Sequence, residues 1–560
     1  MIKELMTTDV LVVGSGIAGL KVSMELAKAG QSIIMSTKTQ LCSGSSFFPL
    51  KASLGTQVTK NDEDKGVFLE DIDAVSHHMQ DREMAKIYID EIRDRVEEFP
   101  EIGIEPYKLS DDRKACFANH GRTIYMLKDW NKIRENVTEI IDHYPNITLM
   151  ERTAVISLVK QDGRVAGAIL LNRDNDFIMI NCKAVVLASG GFGNIYKHNL
   201  NPNDVDGSGH ILALEAGASL VNMEFIQFIP GFTSPKYKTL WGEHTLNYCK
   251  DFVDEDGNSI LDSVLPEGLS KQECLIIRST HGPFTNSLPS KYFDIAMMKE
   301  IFRTKSEDGF ELLYDPEIYK NKSDFYTIYL NWLEERGINL IKDKMKIAPF
   351  AHASNGGVKI DSYGRTGVPG LYAIGELAGG IEGANRLGGN STGACMVFGK
   401  RAAQNCLEYA ESIERLEINP HQVTTQLTQE IHAFSADTQN TMTPHDVMDA
   451  VREIMWFHGN VIRNEKNLQT ALNEIKELKA SFNMGIFTNT IKERKSAFKA
   501  RNFLILSDLL LKAMLQRKES RGAHYREDYP FEDEAYSKRL VISRIDNDIK
   551  LDFEADRMSV

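Results

Sequence analysis

The segment from Pro369 to Thr392 brings together residue types that bind an anion. It contains a hydrophobic run, a glycine-rich loop with the isolated arginine Arg386, and Asn390-Ser391-Thr392 before a predicted helix over 393–409. Glycines let a backbone approach a ligand closely, and a helix N-terminus offers free N–H groups at the positive end of its dipole. By itself the segment predicts an anion site at the start of a helix.

A nucleotide-binding signature stands near the N-terminus. The apolar run Val10–Val13 enters Gly14-Ser15-Gly16-Ile17-Ala18-Gly19, a predicted helix follows over 20–29, and a second strand is expected at 32–35. In such a unit the glycines form the tight turn, admit a pyrophosphate and let the helix pack on the strand. The sequence therefore predicts a dinucleotide site, although Ser36, Thr37 and Lys38 replace the acidic residue expected after the second strand.

Further motifs carry a family resemblance. They are Ala188–Gly191 (ASGG), His352–Val358 (HASNGGV) and Arg517–Pro530 (RKESRGAHYREDYP), and with the first two segments they span nearly the whole chain. In this order they resemble the flavoprotein family of fumarate reductase, succinate dehydrogenase and L-aspartate oxidase. The resemblance implies FAD, which supplies the hydride chemistry that amino-acid side chains lack.

The resemblance also implies which residues contact FAD. Glu376 is expected near the ribityl chain, and Ser391 with its helix start near the flavin pyrimidine. The other cofactor-binding candidates are Gly14, Ser15, Gly16, Gly19, Thr37, Lys38, Ser45, Ser46, Ala154, Val155, Ser189, Gly190, Asn390 and Thr392.

Three flavin-binding positions depart from the family. Ser45 stands where succinate dehydrogenases have a histidine bonded to the flavin, so FAD is expected to be non-covalent. Leu50-Lys51-Ala52 replace Gln-Gly-Gly, whose backbone lies against the flavin in the family. Asp206–Gly209 replaces the family's TGDG.

Substrate-binding residues are only partly kept. His352 and Arg386 match ligands of a substrate carboxylate, and an arginine fork beside a histidine suits an anion. Ile229 replaces the histidine of the family's QFHP, and Trp241 lies where the family has its proton-donating arginine. The candidate catalytic set is therefore His352, Arg386, Trp241 and Arg278, the last as a replacement for the missing arginine. Such a pocket is expected to prefer a larger, flatter substrate, or one that needs no proton at that point.

Three functions are open at this point. The first is an FAD-dependent oxidoreductase that acts on a small anionic substrate, most simply a carboxylate, at flavin N5. The second is a flavoprotein subunit similar to the adenylylsulfate reductase α subunit, which works on sulfite with a ferredoxin-like iron–sulfur partner. The third is a non-enzymatic redox flavoprotein, against which the retained His352 and Arg386 argue.

These motifs require an α/β fold. We expect a Rossmann-like FAD-binding domain in two parts, residues 1–225 and 349–411, with an inserted α+β capping domain over 226–348. Apolar residues at helical spacing around 468–478 and 503–514 predict a helical C-terminal domain over 412–560, with a charged tail from 531 as an extended arm.

Composition limits the class of protein. The 560 residues exceed one hydrophobic core, and the formal charge of −14 argues against a nucleic-acid or anionic membrane surface. The N-terminal residues show no signal-peptide pattern, and no apolar run reaches about 18 residues, so no transmembrane segment is expected. Seven scattered cysteines without a CxxC pair predict no metal site in this chain and a reducing cytoplasm.

Overall fold

The fold is known from a computed structural model. It describes residues 2–51, 53–421, 423–425, 427, 442–483, 491–546 and 548–554, so Ala52 lies outside the described residues. The α-helices in these ranges are α1 (Ile17–Lys28), α2 (Asp64–Ser76), α3 (Arg82–Val96), α4 (Trp130–Asp142), α5 (Ser208–Ala216), α6 (Lys271–Arg278), α7 (Lys291–Thr304), α8 (Asp324–Glu334), α9 (Asn390–Ser412), α10 (Pro444–His458), α11 (Glu465–Asn483) and α12 (Ile491–Gln516).

The strands form several separate sheets. In chain order they are β1 (Ile2–Thr7), β2 (Val10–Val13), β3 (Ile33–Ser36), β4 (Leu54–Val58), β5 (Tyr107–Lys108), β6 (Thr123–Leu127), β7 (Ile147–Met150), β8 (Ala154–Gln161), β9 (Arg164–Leu171), β10 (Phe177–Asn181), β11 (Ala184–Leu187), β12 (Leu220–Val221), β13 (Ile226–Ser234), β14 (Thr239–Leu240), β15 (Cys249–Val253), β16 (Phe310–Tyr314), β17 (Lys346–Ser354), β18 (Gly357–Lys359), β19 (Leu371–Ala373), β20 (Ala378–Gly379), β21 (Leu540–Ile545) and β22 (Asp548–Phe553).

A five-stranded parallel sheet, in the order β19-β11-β2-β3-β7, forms the centre of the nucleotide-binding part. Its strands are almost continuously apolar, as expected for strands covered on both faces, and α1 packs against α9 beside it. Four loops leave the carboxyl ends of these strands at one edge of the sheet. They begin at Gly14, Thr37, Ala188 and Ile374, so the parallel topology brings the predicted cofactor residues together.

A second sheet, β1-β10-β9-β8, packs behind the first. Asp162-Gly163 connects β8 and β9 as a hairpin turn, and both residues have positive φ, 51° and 76°. Positive φ at both central residues is the geometry that favours Asp-Gly in a two-residue hairpin turn.

The capping part is built on the sheet β14-β13-β17-β16-β15 with helices α6, α7 and α8. Strand β13 opens it at Ile226, and its long antiparallel partner β17 begins at Lys346 and continues to Ser354. The last cap strand in chain order thus carries His352 near its C-terminal end. The α/β class with an α+β cap is confirmed, while the domain boundaries stay a prediction.

The C-terminal part is helical from α10 to α12, as predicted, but the tail is not an extended arm. Strands β21 and β22 form a hairpin, and β21 pairs antiparallel with β12 in the sheet β20-β18-β12-β21-β22. The expectation of an arm was wrong because the charged residues of the tail alternate with apolar ones: Leu540 and Ile542 are fully buried against the nucleotide-binding part.

A buried ion-pair network holds this return of the chain. Arg517 donates to Glu224 at 2.6 Å and to Glu519 at 2.8 Å, and also to the backbone carbonyls of Tyr536 and Lys538. All three charged side chains are completely buried. Arg517 of the family-like block at 517–530 therefore joins the C-terminal segment around 536–538 to Glu224, which lies just before β13.

Replacing Arg517 by leucine should lower the free energy of unfolding by about 3–5 kcal/mol, because it leaves buried carboxylates without their partner. Urea denaturation of the flavin-loaded protein measures the change. Arg173→Ala is the control, since Arg173 and Asp174 are both about 70% exposed, and it should change the free energy by less than about 0.5 kcal/mol. Equal urea concentrations at the unfolding midpoint for the two variants would contradict a structural role for Arg517.

Candidate active site

One cleft with a volume of about 1060 Å³ joins the two predicted sites. Its floor is the carboxyl edge of the parallel sheet, with Gly14, Ser15 and Ser189 on the wall, and its far end lies under the cap beside Arg386 and His352. The cleft is long enough for a dinucleotide and opens onto the anion-binding residues. Cofactor and substrate would thus share one enclosed space.

Two helix N-termini point into this cleft. Helix α1 begins after Gly16 and α9 after Gly389, and a glycine offers no side-chain cap. Ile17 N–H donates to Ser46 Oγ and Asn390 N–H to the Leu387 carbonyl, both at 3.4 Å, while the described residues leave the following N–H groups of these first turns available to a ligand. The buried hydroxyl of Ser15 on the same wall also has no partner. Unfilled donors at both ends of a long cleft fit a dinucleotide with an anionic pyrophosphate, as FAD has.

Most of the predicted cofactor residues line the cleft. They are Gly14, Ser15, Gly16, Thr37, Lys38, Ser45, Ser46, Val155, Ser189, Gly190, Glu376, Ser391 and Thr392. Glu376 accepts hydrogen bonds from the backbone N–H of Ser354 at 3.0 Å and from its hydroxyl at 3.2 Å, which fixes its carboxylate.

Three predicted cofactor residues lie behind the wall instead. A Cβ at Gly19 would come within 2.0 Å of the Gly14 carbonyl, so this glycine serves the packing of α1 on the turn. Ala154 is buried at the start of β8. The amide oxygen of Asn390 accepts from Gln57 at 3.1 Å, which directs that side chain into the protein.

Lys38 lies on the wall, but its amine is paired with Asp206 at 2.6 Å. Burial by itself raises the pKa of Asp206, yet the nearby amines of Lys38 and Lys499 lower it to about 2. The segment that replaces the family's TGDG thus supplies the carboxylate that pairs with Lys38. This ion pair joins the loop after β3 to the loop before α5.

The Arg386 guanidinium is aimed by neutral groups. Its Nε donates to Gln227 at 3.1 Å, and its backbone N–H donates to Asn385 at 3.0 Å. Gln227 in turn donates to Asn385 at 2.6 Å. Within the described ranges no carboxylate lies at ion-pair distance from Arg386, so its charge faces the cleft without a counter-ion. An arginine fork held in this way suits an anionic ligand.

His352 completes the anion-binding end. Arg386 Nη2 lies 3.3 Å from His352 Nε2, and because a guanidinium can only donate, this imidazole nitrogen accepts. Burial lowers the pKa of His352 well below its usual range, and Lys51 and Arg386 lower it further. His352 is therefore a neutral imidazole with its proton on Nδ1, which is buried and has no hydrogen-bond partner among the described residues.

Arg278 does not reach the cleft. It is completely buried, donates to Asp294 at 2.8 Å and to the Gly282 carbonyl at 2.8 Å, and its guanidinium lies 5.5 Å from the ring centroid of Trp241. All of its donors are directed into the cap. The expectation that Arg278 replaces the family's proton donor is not supported, because its ion pair leaves no group free to reach a substrate.

Trp241 lies on the cleft wall, as expected. Its indole N–H donates to the Tyr314 hydroxyl at 3.2 Å, and the ring stacks on Phe293. With Ile229, also on the wall, it makes this side of the cap apolar. At these two positions the family carries side chains that can give a proton. Here Ile229 is a hydrocarbon side chain, and the indole N–H of Trp241 is already bonded to Tyr314.

The wall also carries polar residues that were not predicted as site residues, among them Lys51, Cys116, Glu243 and His244. The Cys116 thiol donates to Glu243 at 3.4 Å, and burial raises the pKa of the Glu243 carboxyl. Neither ring nitrogen of His244 has a hydrogen-bond partner in the described part of the chain, and its ring centroid lies 4.4–5.1 Å from those of Phe325, Tyr326 and Tyr329. Only Lys51 had a sequence signal, its place in the altered flavin-contact segment.

Comparison with protein families matches this arrangement. Residues 9–392 match the family model described as FAD binding domain, and residues 448–559 match the one described as Fumarate reductase flavoprotein C-term. The chain belongs to the FAD-binding flavoprotein family of fumarate reductase and L-aspartate oxidase. It is an FAD-dependent oxidoreductase, and the residues on the cleft wall fit that cofactor.

Similar proteins span the whole chain. One subunit of the fumarate reductase (CoM/CoB) from Methanothermobacter marburgensis is 27% identical, over 97% of this chain and 98% of its own length. An L-aspartate oxidase of Yersinia pestis is 27% identical over 93% of this chain and 96% of its own. The Mycobacterium smegmatis Sdh1 complex contains a chain that superposes with a TM-score of 0.84 at 25% identity, over 100% of this chain and 96% of that one. No helix among the described residues is both long and apolar enough to cross a membrane.

FAD should leave the protein when the chain unfolds. Ser45 offers a hydroxyl bonded to Asn201 at 2.8 Å in place of a histidine, and burial raises the pKa of the wall thiols Cys116 and Cys395 to about 12, so neither is a reactive thiolate. Acid or heat denaturation followed by filtration should therefore move the flavin fluorescence into the filtrate. A fluorescent protein band on a denaturing gel would contradict non-covalent binding.

Proposed function

We propose that this protein is an FAD-dependent reductase or dehydrogenase of a small anionic substrate, most simply a carboxylate. The observation that carries the proposal is the Arg386 guanidinium, which neutral residues aim into the cleft and which has no carboxylate counter-ion in the described part of the chain. A substrate anion would supply that counter-ion. The names of the similar fumarate reductase and L-aspartate oxidase favour a carboxylate.

Each wall residue has a definite task in this proposal. Arg386 binds the anionic group with its fork, and the Nδ1–H of neutral His352 donates a further hydrogen bond without adding repulsive charge. Bound FAD supplies hydride transfer at its N5. Trp241 and Ile229 exclude water from the opposite wall, which strengthens the electrostatic contacts of the anion.

The cap wall favours a substrate other than a C4-dicarboxylate. A second carboxylate would meet Ile229 and Trp241, which offer it neither charge nor a free donor. A flat apolar or aromatic part of the substrate would instead lie against Trp241 and the rings of His244, Phe325 and Tyr329. We infer a substrate with one anionic end and a flat, less polar body.

A sulfur anion is the second candidate. Sulfite carries the oxygen charge that Arg386 and His352 suit, and a reaction at flavin N5 that needs no proton at a substrate carbon would explain the missing donor arginine. An iron–sulfur partner subunit belongs to this candidate. A cytoplasmic location stays a prediction from the scattered cysteines, which are free thiols in the described structure.

A substrate screen separates these candidates. The oxidised protein would be mixed anaerobically with succinate, aspartate, aromatic carboxylates or sulfite plus AMP, and the dithionite-reduced protein with fumarate or unsaturated aromatic acids, with flavin absorbance as the readout. Redox change with a flat carboxylate supports the first candidate. A response confined to sulfite supports the second, and no response to any anion would overturn the proposal.

Fumarate should be a poor substrate, and its kcat/KM should rise when a hydrogen-bond donor is restored at Ile229. A hydrogen bond to a charged group contributes about 1.5–3 kcal/mol, so Ile229→His should raise kcat/KM for fumarate by about tenfold or more. Ile229→Leu is the volume-matched control and should leave it unchanged. Efficient fumarate reduction by the unaltered protein, with no gain from histidine, would show that another group holds the second carboxylate.

Arg386→Lys should lower turnover by orders of magnitude while the flavin content and melting temperature barely change. The substitution keeps a positive charge but loses the planar fork. The comparator is Arg278→Lys, which breaks the buried pair with Asp294 and should lower stability and activity together. Steady-state kinetics, the flavin-to-protein absorbance ratio and thermal melting decide the matter, and unchanged turnover would remove Arg386 from the site.

A further inference from the structure

Lys51 brings an amine to the cleft wall that no other described group engages. Its side chain is 4% exposed and lines the cleft with Arg386 and His352. Within the described ranges, its Nζ has neither a hydrogen-bond partner nor a carboxylate at ion-pair distance. Burying an ammonium ion without a partner costs several kcal/mol in general, so such a group calls for a functional reason.

The backbone of Lys51 is fixed at the junction of two parts of the protein. Its carbonyl accepts a hydrogen bond from the Trp130 indole at 3.1 Å, and its N–H donates to the Phe48 carbonyl at 3.1 Å. The neighbouring carbonyl of Leu50 accepts from the N–H of Leu240 on the cap strand β14 at 3.1 Å. These contacts hold the start of the side chain, and its four-carbon stem carries the amine to the cleft.

Burial and the neighbouring charge of Arg386 make the proton of Lys51 labile. Burial lowers the pKa of Lys51 to about 8, with Glu376 opposing this shift and Arg386 adding to it. Lys51 in turn lowers the pKa values of His352 and Lys238. Oε1 of the Glu376 carboxylate accepts from Ser354, and Glu376 does not lie at ion-pair distance from Lys51 Nζ. The amine is thus mostly an ammonium ion at neutral pH and loses its proton just above it.

Other wall groups are less suited to give a proton. His352 is neutral, and its Nε2 accepts from Arg386. The Glu243 carboxyl is engaged by the Cys116 thiol on the cap side. Arg386 donates to Gln227 and His352 and serves as the anion fork, whereas an acid that titrates near the working pH is an effective proton donor.

We propose that Lys51 Nζ is the proton donor for the substrate bound by Arg386 and His352, in place of the family's missing arginine. This role rests on the proposed function as a reductase of an unsaturated anion. In the reduction, bound reduced FAD would supply the hydride for one substrate atom, and the ammonium group of Lys51 would give its proton to the neighbouring atom. Lys51 is left as a neutral amine and regains a proton from water, and in the oxidative direction the neutral amine removes the proton.

Chemical modification tests the amine independently of turnover. The flavin-loaded protein would be treated with acetic anhydride between pH 6 and pH 11, and acetylation of each lysine followed by peptide mass spectrometry. We expect a midpoint near 8 for Lys51 and slower modification when oxalate occupies the anion site. Lys238 is the matched control, because burial lowers its pKa to about 8 as well, but its amine donates to Asn199 and oxalate should not protect it.

Kinetics test the proton transfer itself. Lys51→Met should lower kcat by about 10²–10⁴-fold with little change in KM, because the general acid is lost while the anion site remains. Lys51→Arg should be similarly slow and should lose the fall in rate above about pH 8 that the unaltered protein shows as Lys51 deprotonates. Lys238→Met should keep both kcat and this pH profile.

The outcomes are separable. The melting temperature of Lys51→Met should be unchanged or higher, since a buried amine without a partner is removed. A raised KM with normal kcat, restored by Lys51→Arg, would make Lys51 an anion ligand and overturn its role as proton donor. An acetylation midpoint near the ordinary lysine value of 10.5 would overturn it too. Absence of turnover on every anion by the unaltered protein would overturn the proposed function instead.

Discussion

Positive charge buried without a carboxylate partner is the constraint around which the substrate end of the cleft is arranged. The charges of Arg386 and Lys51 face the same space, and burial, together with the repulsion of an imidazolium by these two charges, keeps His352 neutral. Such an arrangement is costly unless the surrounding groups hold each side chain in place. Gln227 and Asn385 do so with neutral hydrogen bonds, which leave the charge available to an anion.

The antiparallel pair β13 and β17 transmits this arrangement to the cap. Gln227, which aims Arg386, lies opposite Ala353, and Ile229 lies opposite Phe350 two residues before His352. A slip of one residue in this pairing would exchange the cleft-facing and core-facing side chains. The same register therefore positions the anion fork, the imidazole and the apolar cap wall together, so substrate affinity and substrate shape depend on one pair of strands.

Partners, and not residue type, decide what each buried arginine does. Arg278 and Arg517 meet carboxylates in the protein interior and become fixed structural cations. Among the residues that the structure describes, the Arg386 guanidinium meets only an amide oxygen and an imidazole nitrogen, so its charge stays available to a ligand. The loss of family residues at Ile229 and Trp241 and the gain of an amine at Lys51 occur around this one retained arginine. They change the chemistry of the cleft while leaving the fold intact.

The sequence alone determined the parallel-sheet cofactor domain, because GxGxxG between two apolar strands has few other physical uses, and it located Arg386 and His352 through their motifs. It also identified Ile229, Trp241 and Ser45 as departures from the family. Only the tertiary structure showed that Asp294 neutralises Arg278, that Gly19 and Asn390 face away from the cleft, and that the charged tail forms a hairpin on β12. It also placed the Lys51 amine in the cleft. Whether a charged side chain serves structure or chemistry depends on which groups lie across the fold from it, and contacts between residues hundreds of positions apart leave no local pattern in the chain.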